Sequence, residues 1–223
     1  MKTLKHTALL LIGMQNDYFS KRSPLAKDFE DPSRIQKIKR RILWIISHAS
    51  RSNIFIANLP ILFQTGHPEI ARELGILASI KKHNLFQKGT SGSGVIPELG
   101  PWQKYMTTMP GQTGFNAFVD TGLHEHLSRT RTRQLVLAGS STATCIDSTA
   151  RSAYELGYEV IILDDCTVGR TIDEQDLYCQ SIFPLYSTVI NSKILLAALA
   201  NENQVIAGHD MVKHSPGITA IAC

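Results

Sequence analysis

Long apolar runs are missing from this chain, and so are paired cysteines, internal repeats and interleaved basic and aromatic residues. The early run Ala8-Leu-Leu-Leu-Ile12 falls far short of the roughly 18 residues a membrane span needs. It lacks a small-residue cleavage site and runs into Gln15-Asn16-Asp17, so it reads as a buried first strand and no membrane partner is expected. The four cysteines, at 145, 166, 179 and 223, show no paired or zinc-type spacing, which suits a reducing, cytoplasmic setting and argues against a disulfide frame. His124 and His126 would point to different faces of a helix, and the other histidines are scattered. Lys37–Arg41 and Arg129–Arg133 are the densest basic stretches of a chain whose net charge is +4. Neither carries aromatics, so both read as solvated surface and no nucleic-acid partner is expected.

What is present is enough apolar material, 43% of 223 residues, to bury the core of one domain. Strands alternate with helices: a strand over 7–14, a helix over 33–50 capped by Ser33, a strand over 53–57 and a weaker helix over 68–77. Residues 81–101 form a Gly-, Ser- and Pro-rich excursion, followed by a strand over 104–109 and a helix over 115–127. Residues 135–163 make a strand–helix–strand unit. A helix over 173–185, a strand over 187–190 and a last helix over 192–200 complete the set. The pattern predicts an α/β fold, a doubly wound, six-stranded and mostly parallel sheet with helices on both faces. Residues 1–200 form the single domain and 201–223 a weakly patterned C-terminal tail.

Cys145 is the candidate nucleophile. Leu135-Val-Leu-Ala-Gly-Ser-Ser-Thr-Ala-Thr-Cys145 is an apolar strand entering a small-residue turn, and a helix follows, with Thr144 and Asp147 in capping-box spacing. A thiol at a helix N-terminus faces free amides and the positive end of the helix dipole, which favour thiolate. In parallel sheets catalytic groups collect at this edge.

The residues also carry a resemblance. Ala8 to Phe19, with Gly13-Met-Gln-Asn-Asp17, resembles the opening of the isochorismatase-like cysteine hydrolases, whose first strand ends in Asp-Met-Gln-Asn-Asp-Phe. Gly89 to Leu99 is similar to their glycine-rich turn before Pro-Glu-Leu, Phe115 to their Gly-Phe or Ala-Phe element, and Gly139 to Leu163 to their nucleophile region. The resemblance implies a triad in which an aspartate takes the thiol proton, a lysine stabilises the charged pair and backbone amides form an oxyanion hole. Members hydrolyse amides such as nicotinamide, N-carbamoyl compounds and the vinyl ether of isochorismate. Here Gly13 stands at the aspartate position and Met109, six before Phe115, at the lysine position; no lysine occurs between Lys104 and Lys193.

Three readings follow. One is a degenerate hydrolase that keeps a pocket for a small molecule or a partner. Another is an active hydrolase of small amides or related bonds with relocated groups, for which Asp17 and Lys104 are the candidate substitutes. The third is an oligomeric scaffold. The resemblance further implies a homo-oligomer, dimer or tetramer. Pocket-lining candidates carried by motif are Phe19, Phe115, Ser141 and Thr142. The metal-binding branch uses an aspartate and histidines after the second strand; this chain offers His67 and no acid before Glu69, so neither a metal nor another cofactor is expected.

Overall fold

A computed structural model of the chain describes residues 4–213, with side chains described as far as Glu202. Six strands form one sheet in the order β3-β2-β1-β4-β5-β6: β1 Thr7–Ile12, β2 Phe55–Leu59, β3 Thr107–Thr108, β4 Gln134–Ser140, β5 Glu159–Val168 and β6 Thr188–Ile190. Every neighbouring pair is parallel. The expectation of a mostly parallel sheet is therefore met in full. β1 lies at the centre and all six of its residues are buried, as a strand covered on both faces requires. Beyond it Gln15 ties the strand's end to two loops, its amide donating to the Ile61 and Ser93 carbonyls at 2.8 Å and accepting from Ile61 N–H at 2.7 Å.

The helices are α1 Asn16–Phe19, α2 Pro32–Ala49, α3 Gly75–Lys82, α4 Leu123–Arg129, α5 Asp147–Glu155, α6 Ile172–Leu177 and α7 Ser192–Lys213. The buried stripe of α2, Ile35, Ile38, Ile42, Ile45, Ile46 and Ala49, follows helical spacing. Its cap is Asp31, whose Oδ1 accepts Ser33 N–H at 2.9 Å, and Pro32 fills the first helical position. The expected cap at Ser33 is thus displaced by two residues, because the acid outside the proline reaches the free amide.

Other boundaries move for local reasons. The strand expected over 104–109 shrinks to Thr107–Thr108, since Pro97 and Pro101 hold Pro97–Tyr105 in 3₁₀ turns. The helix expected over 115–127 forms only from Leu123, because Asp120 and Gly122 take left-handed conformations at φ 56° and 68°. The helix expected over 68–77 lies at 75–82, where the chain turns through Gly75 at φ 54°; before it the Glu69 carboxylate accepts Gln64 N–H and holds a turn. The helical path expected over 173–185 is α6 followed by a π turn and a 3₁₀ turn, with Pro184 in the last. β5 runs five residues longer than expected, to Val168, its register with β4 jumping from Leu137↔Ile162 to Gly139↔Thr167. α7 continues past position 200 to Lys213, and residues 214–223 of the expected tail lie outside the described residues.

Candidate active site

The site lies at the C-terminal edge of β1 and β4. Gly139, at φ 128°, must be glycine because a Cβ there would run into the Ile12 carbonyl of the neighbouring strand. The chain then passes a cis Ser140–Ser141 peptide. Residues Thr142–Ile146 make a π-helical turn, so Cys145 precedes α5 instead of lying in its first α turn. The capping box expected from Thr144 and Asp147 does not form. Thr144 Oγ1 turns to Ser141 Oγ at 2.9 Å and to Cys145 Sγ at 3.8 Å. The Asp147 carboxylate accepts from Arg151 at 3.0 Å and from Tyr186 at 2.7 Å.

Cys145 is 1% exposed, and its side-chain partners among the described residues are two hydroxyls, those of Thr144 and Tyr18; the Tyr18 hydroxyl lies 3.9 Å from the sulfur. Burial pushes the thiol up from its ordinary value, against the lowering hydrogen bonds from Thr144, Tyr18 and the Ser141 backbone. Burial therefore opposes the thiolate-favouring effect expected of a helix terminus, since desolvation disfavours the charged form of the thiol. Tyr18 is raised well above its usual range by burial and then by Cys145, so it stays protonated and cannot take the thiol proton.

Gly13 stands just beyond β1 at φ 65°. A Cβ on it would sit 2.9 Å from the Ser140 carbonyl oxygen and 3.0 Å from the Tyr18 ring. The space beside the nucleophile turn is therefore filled by Tyr18. Met109 is buried, and its N–H donates to the Asn58 carbonyl at 3.0 Å, at the end of β3.

The two candidate substitutes are placed elsewhere. Asp17 Oδ2 accepts Phe86 N–H at 2.6 Å, its own N–H donates to the Gly92 carbonyl at 2.9 Å, and a Cβ on Gly92 would strike its carboxylate. Asp17 thus pins the 86–92 loop, and burial raises its carboxyl despite the Phe86 bond. Lys104 is exposed in the 3₁₀ segment, its ammonium 5.0 Å over the Tyr105 ring.

A cavity of about 500 Å³ opens beside the turn, lined by Tyr18, Ser141, Leu25 and Phe29 with one charge of each sign, Asp28 and Arg170. Of the four motif-derived lining candidates only Ser141 lies in it. Phe19 faces a second cavity. Phe115 is half-buried against the core, its carbonyl accepting the Thr149 hydroxyl. Thr142 is fully buried and donates to Gln175 Oε1 at 2.7 Å. Gln175 also accepts Gly169 N–H and donates to the Asp164 carbonyl, so the turn is locked from behind. Sequence reasoning missed Tyr18, Asp28 and Arg170. The first was signalled by the motif itself, because Tyr18 and not Phe19 occupies the position of its final phenylalanine; the others rest on distant segments meeting and carry no local signal.

After β2, the residues His67 and Glu69 both have protein partners. His67 Nε2 is 2.7 Å from the Leu85 carbonyl and its Nδ1 is buried, while the Glu69 carboxylate is occupied by Gln64 N–H. Among the described residues no group of three or more His, Cys, Asp or Glu could hold a metal ion, and no helix is long and apolar enough to cross a membrane.

Comparison with known proteins places this geometry. Nicotinamidase 3 of Arabidopsis thaliana is 25% identical over 163 residues, 73% of each chain. A second Arabidopsis thaliana protein, whose name reads "Probable inactive nicotinamidase", is 26% identical over 177 residues, 75% of this chain and 83% of its own. The solved isochorismatase family protein of Desulfovibrio vulgaris superposes with a TM-score of 0.72 at 21% identity, covering 87% of this chain and 98% of its own, and shares the fold. The isochorismatase domain model matches residues 7–194. With that match spanning the whole sheet and the Cys145 turn, the chain belongs to the isochorismatase domain family of hydrolase-like proteins.

Proposed function

We propose that this chain is a member impaired in ordinary family hydrolysis that retains a small-molecule pocket beside Cys145. The observation that carries the reading is the surroundings of the sulfur, a buried thiol flanked by two hydroxyls; the resemblance adds Gly13 and Met109 at the positions it gives to the aspartate and the lysine. Loss of a general base alone costs about two to four powers of ten in rate. Neither Tyr18, held protonated, nor Asp17, bound to Phe86 N–H, supplies that base. The cavity instead offers an apolar wall and the opposed charges of Asp28 and Arg170, which suits a small polar molecule held by both. A relative whose name marks it as inactive shares three quarters of this chain's length, in keeping with loss of turnover on this fold. In this reading residues 1–200 act as one domain of a cytoplasmic homo-oligomer, dimer or tetramer, with no metal, cofactor or nucleic acid.

Turnover assays with nicotinamide, isochorismate and N-carbamoyl amides test it, together with thermal shifts on the same panel. The expected result is turnover at background, with any stabilisation by a ligand abolished by Arg170→Ala. Rates within about tenfold of an enzyme with the intact triad overturn the reading in favour of relocated catalytic groups.

A further inference from the structure

The second cavity, of about 490 Å³, lies on the far side of the chain segment that walls the first. Its rim carries Lys21, Lys27, Lys37 and Arg40, all exposed, and no acidic residue lines it. The whole chain has a net charge of +4, so this single concavity gathers as many cations as the molecule has in excess. Among the described residues none of the four forms a salt bridge; Lys37 alone is felt by an acid, Asp31, across an electrostatic interaction. The floor is of the opposite kind. Phe19, Ala26 and Ile35 are all buried and still contribute surface to the cavity. The first amide of α2 is already taken by Asp31, so the cations and not the helix end supply the attraction.

Lys37 and Arg40 belong to the basic stretch that the sequence suggests is mere solvated surface. Folding brings them together with Lys21 and Lys27 from 16 and 10 residues upstream of Lys37. Four like charges around an apolar floor repel one another unless a counter-charge settles among them. A cavity of this size is too small for a nucleic-acid strand and matches a single drug-sized molecule, since such sites measure about 300–1,000 Å³.

We propose that this cavity binds a small organic polyanion, an aromatic or apolar body carrying two or more phosphate charges, of which a nucleoside diphosphate is the model. The apolar body rests on Phe19, Ala26 and Ile35, and the phosphates meet the four cations. The site is separate from the Cys145 pocket and stands whether or not that pocket turns over a substrate.

The probes are ADP, inorganic pyrophosphate and adenosine, titrated calorimetrically into the full chain at low and at physiological salt. ADP is expected to bind, with pyrophosphate and adenosine each at least about tenfold weaker, a gap of about 1.4 kcal/mol. Affinity for ADP should fall as salt rises, because exposed charges are screened within a Debye length of about 8–10 Å. The double variant Lys21→Gln, Arg40→Gln should lose at least about tenfold in ADP affinity, the same energy gap, and Lys81→Gln, a cation elsewhere on the surface, should lose none. No ADP binding at millimolar concentration overturns the proposal, as does equal binding of pyrophosphate, which would remove the apolar component. Equal weakening by Lys81→Gln also overturns it, because the charge effect would then belong to the whole surface.

Discussion

Tyr18 decides the chemistry at the scale of single residues. Its hydroxyl lowers the Cys145 thiol while burial raises it, and its side chain meets both the sulfur and the cavity. Tyr18→Phe should therefore shift the alkylation profile of Cys145 to higher pH, read as iodoacetamide rate against pH with the modified peptide located by mass; an unchanged or lowered midpoint would show that the hydroxyl does not stabilise the thiolate. Gly13 is held by backbone shape as well as by space. A side chain there must take φ 65° and push against the Ser140 carbonyl and the Tyr18 ring. Gly13→Ala should cost about 1–3 kcal/mol, seen as a lower urea midpoint with unchanged slope. Gly13→Asp, which would put a carboxylate where the resemblance places the family's aspartate, meets the same obstruction.

Elements were legible in the sequence wherever one face was buried along a regular period. The α2 stripe and the apolar β1 run show this, since their isoleucines and leucines have a single burial solution. Boundaries set by a single cap or a left-handed residue were not legible to the same degree, as with Asp31 in place of Ser33 and with Asp120 and Gly122 ahead of α4. At the candidate site the Cys145 turn could be read locally, because its apolar strand and small-residue turn are contiguous in the chain. Asp28 and Arg170 could not, because they meet only after residues 142 apart in the chain are brought to one cavity. The cap itself can be tested. Asp31→Ala leaves Ser33 N–H without its acceptor and should cost about 1 kcal/mol, measured by denaturant unfolding; a loss below a few tenths would mean that water replaces the carboxylate.

Across the whole molecule the described thiols share one behaviour. Cys145 and Cys166 are raised by burial, and Cys179 is raised to about 11 by burial and then by Asp164. All three should label more slowly in the native protein than in urea at neutral pH, as peptide mapping would show. The sign of the pH dependence follows from the shift. For a group raised on folding, the native state keeps its proton longer, so its contribution is complete below the unfolded value of 9.0 and is lost as pH climbs toward 11. Native stability should accordingly fall across that window, and Cys179→Ser should flatten the fall; an unchanged slope would assign the loss to other groups. The two cavities also share a boundary. Tyr18, Leu25, Asp28 and Phe29 face one, while Phe19, Ser20, Ala26 and Lys27 face the other, so a single thickness of chain is the wall of both. Thermodynamic linkage makes such a partition symmetric: by whatever factor an occupant of one side alters affinity on the other, the reverse effect has the same factor. Charge felt across the wall, or a wall that yields, moves that factor away from one and turns two neighbouring cavities into a reciprocal pair.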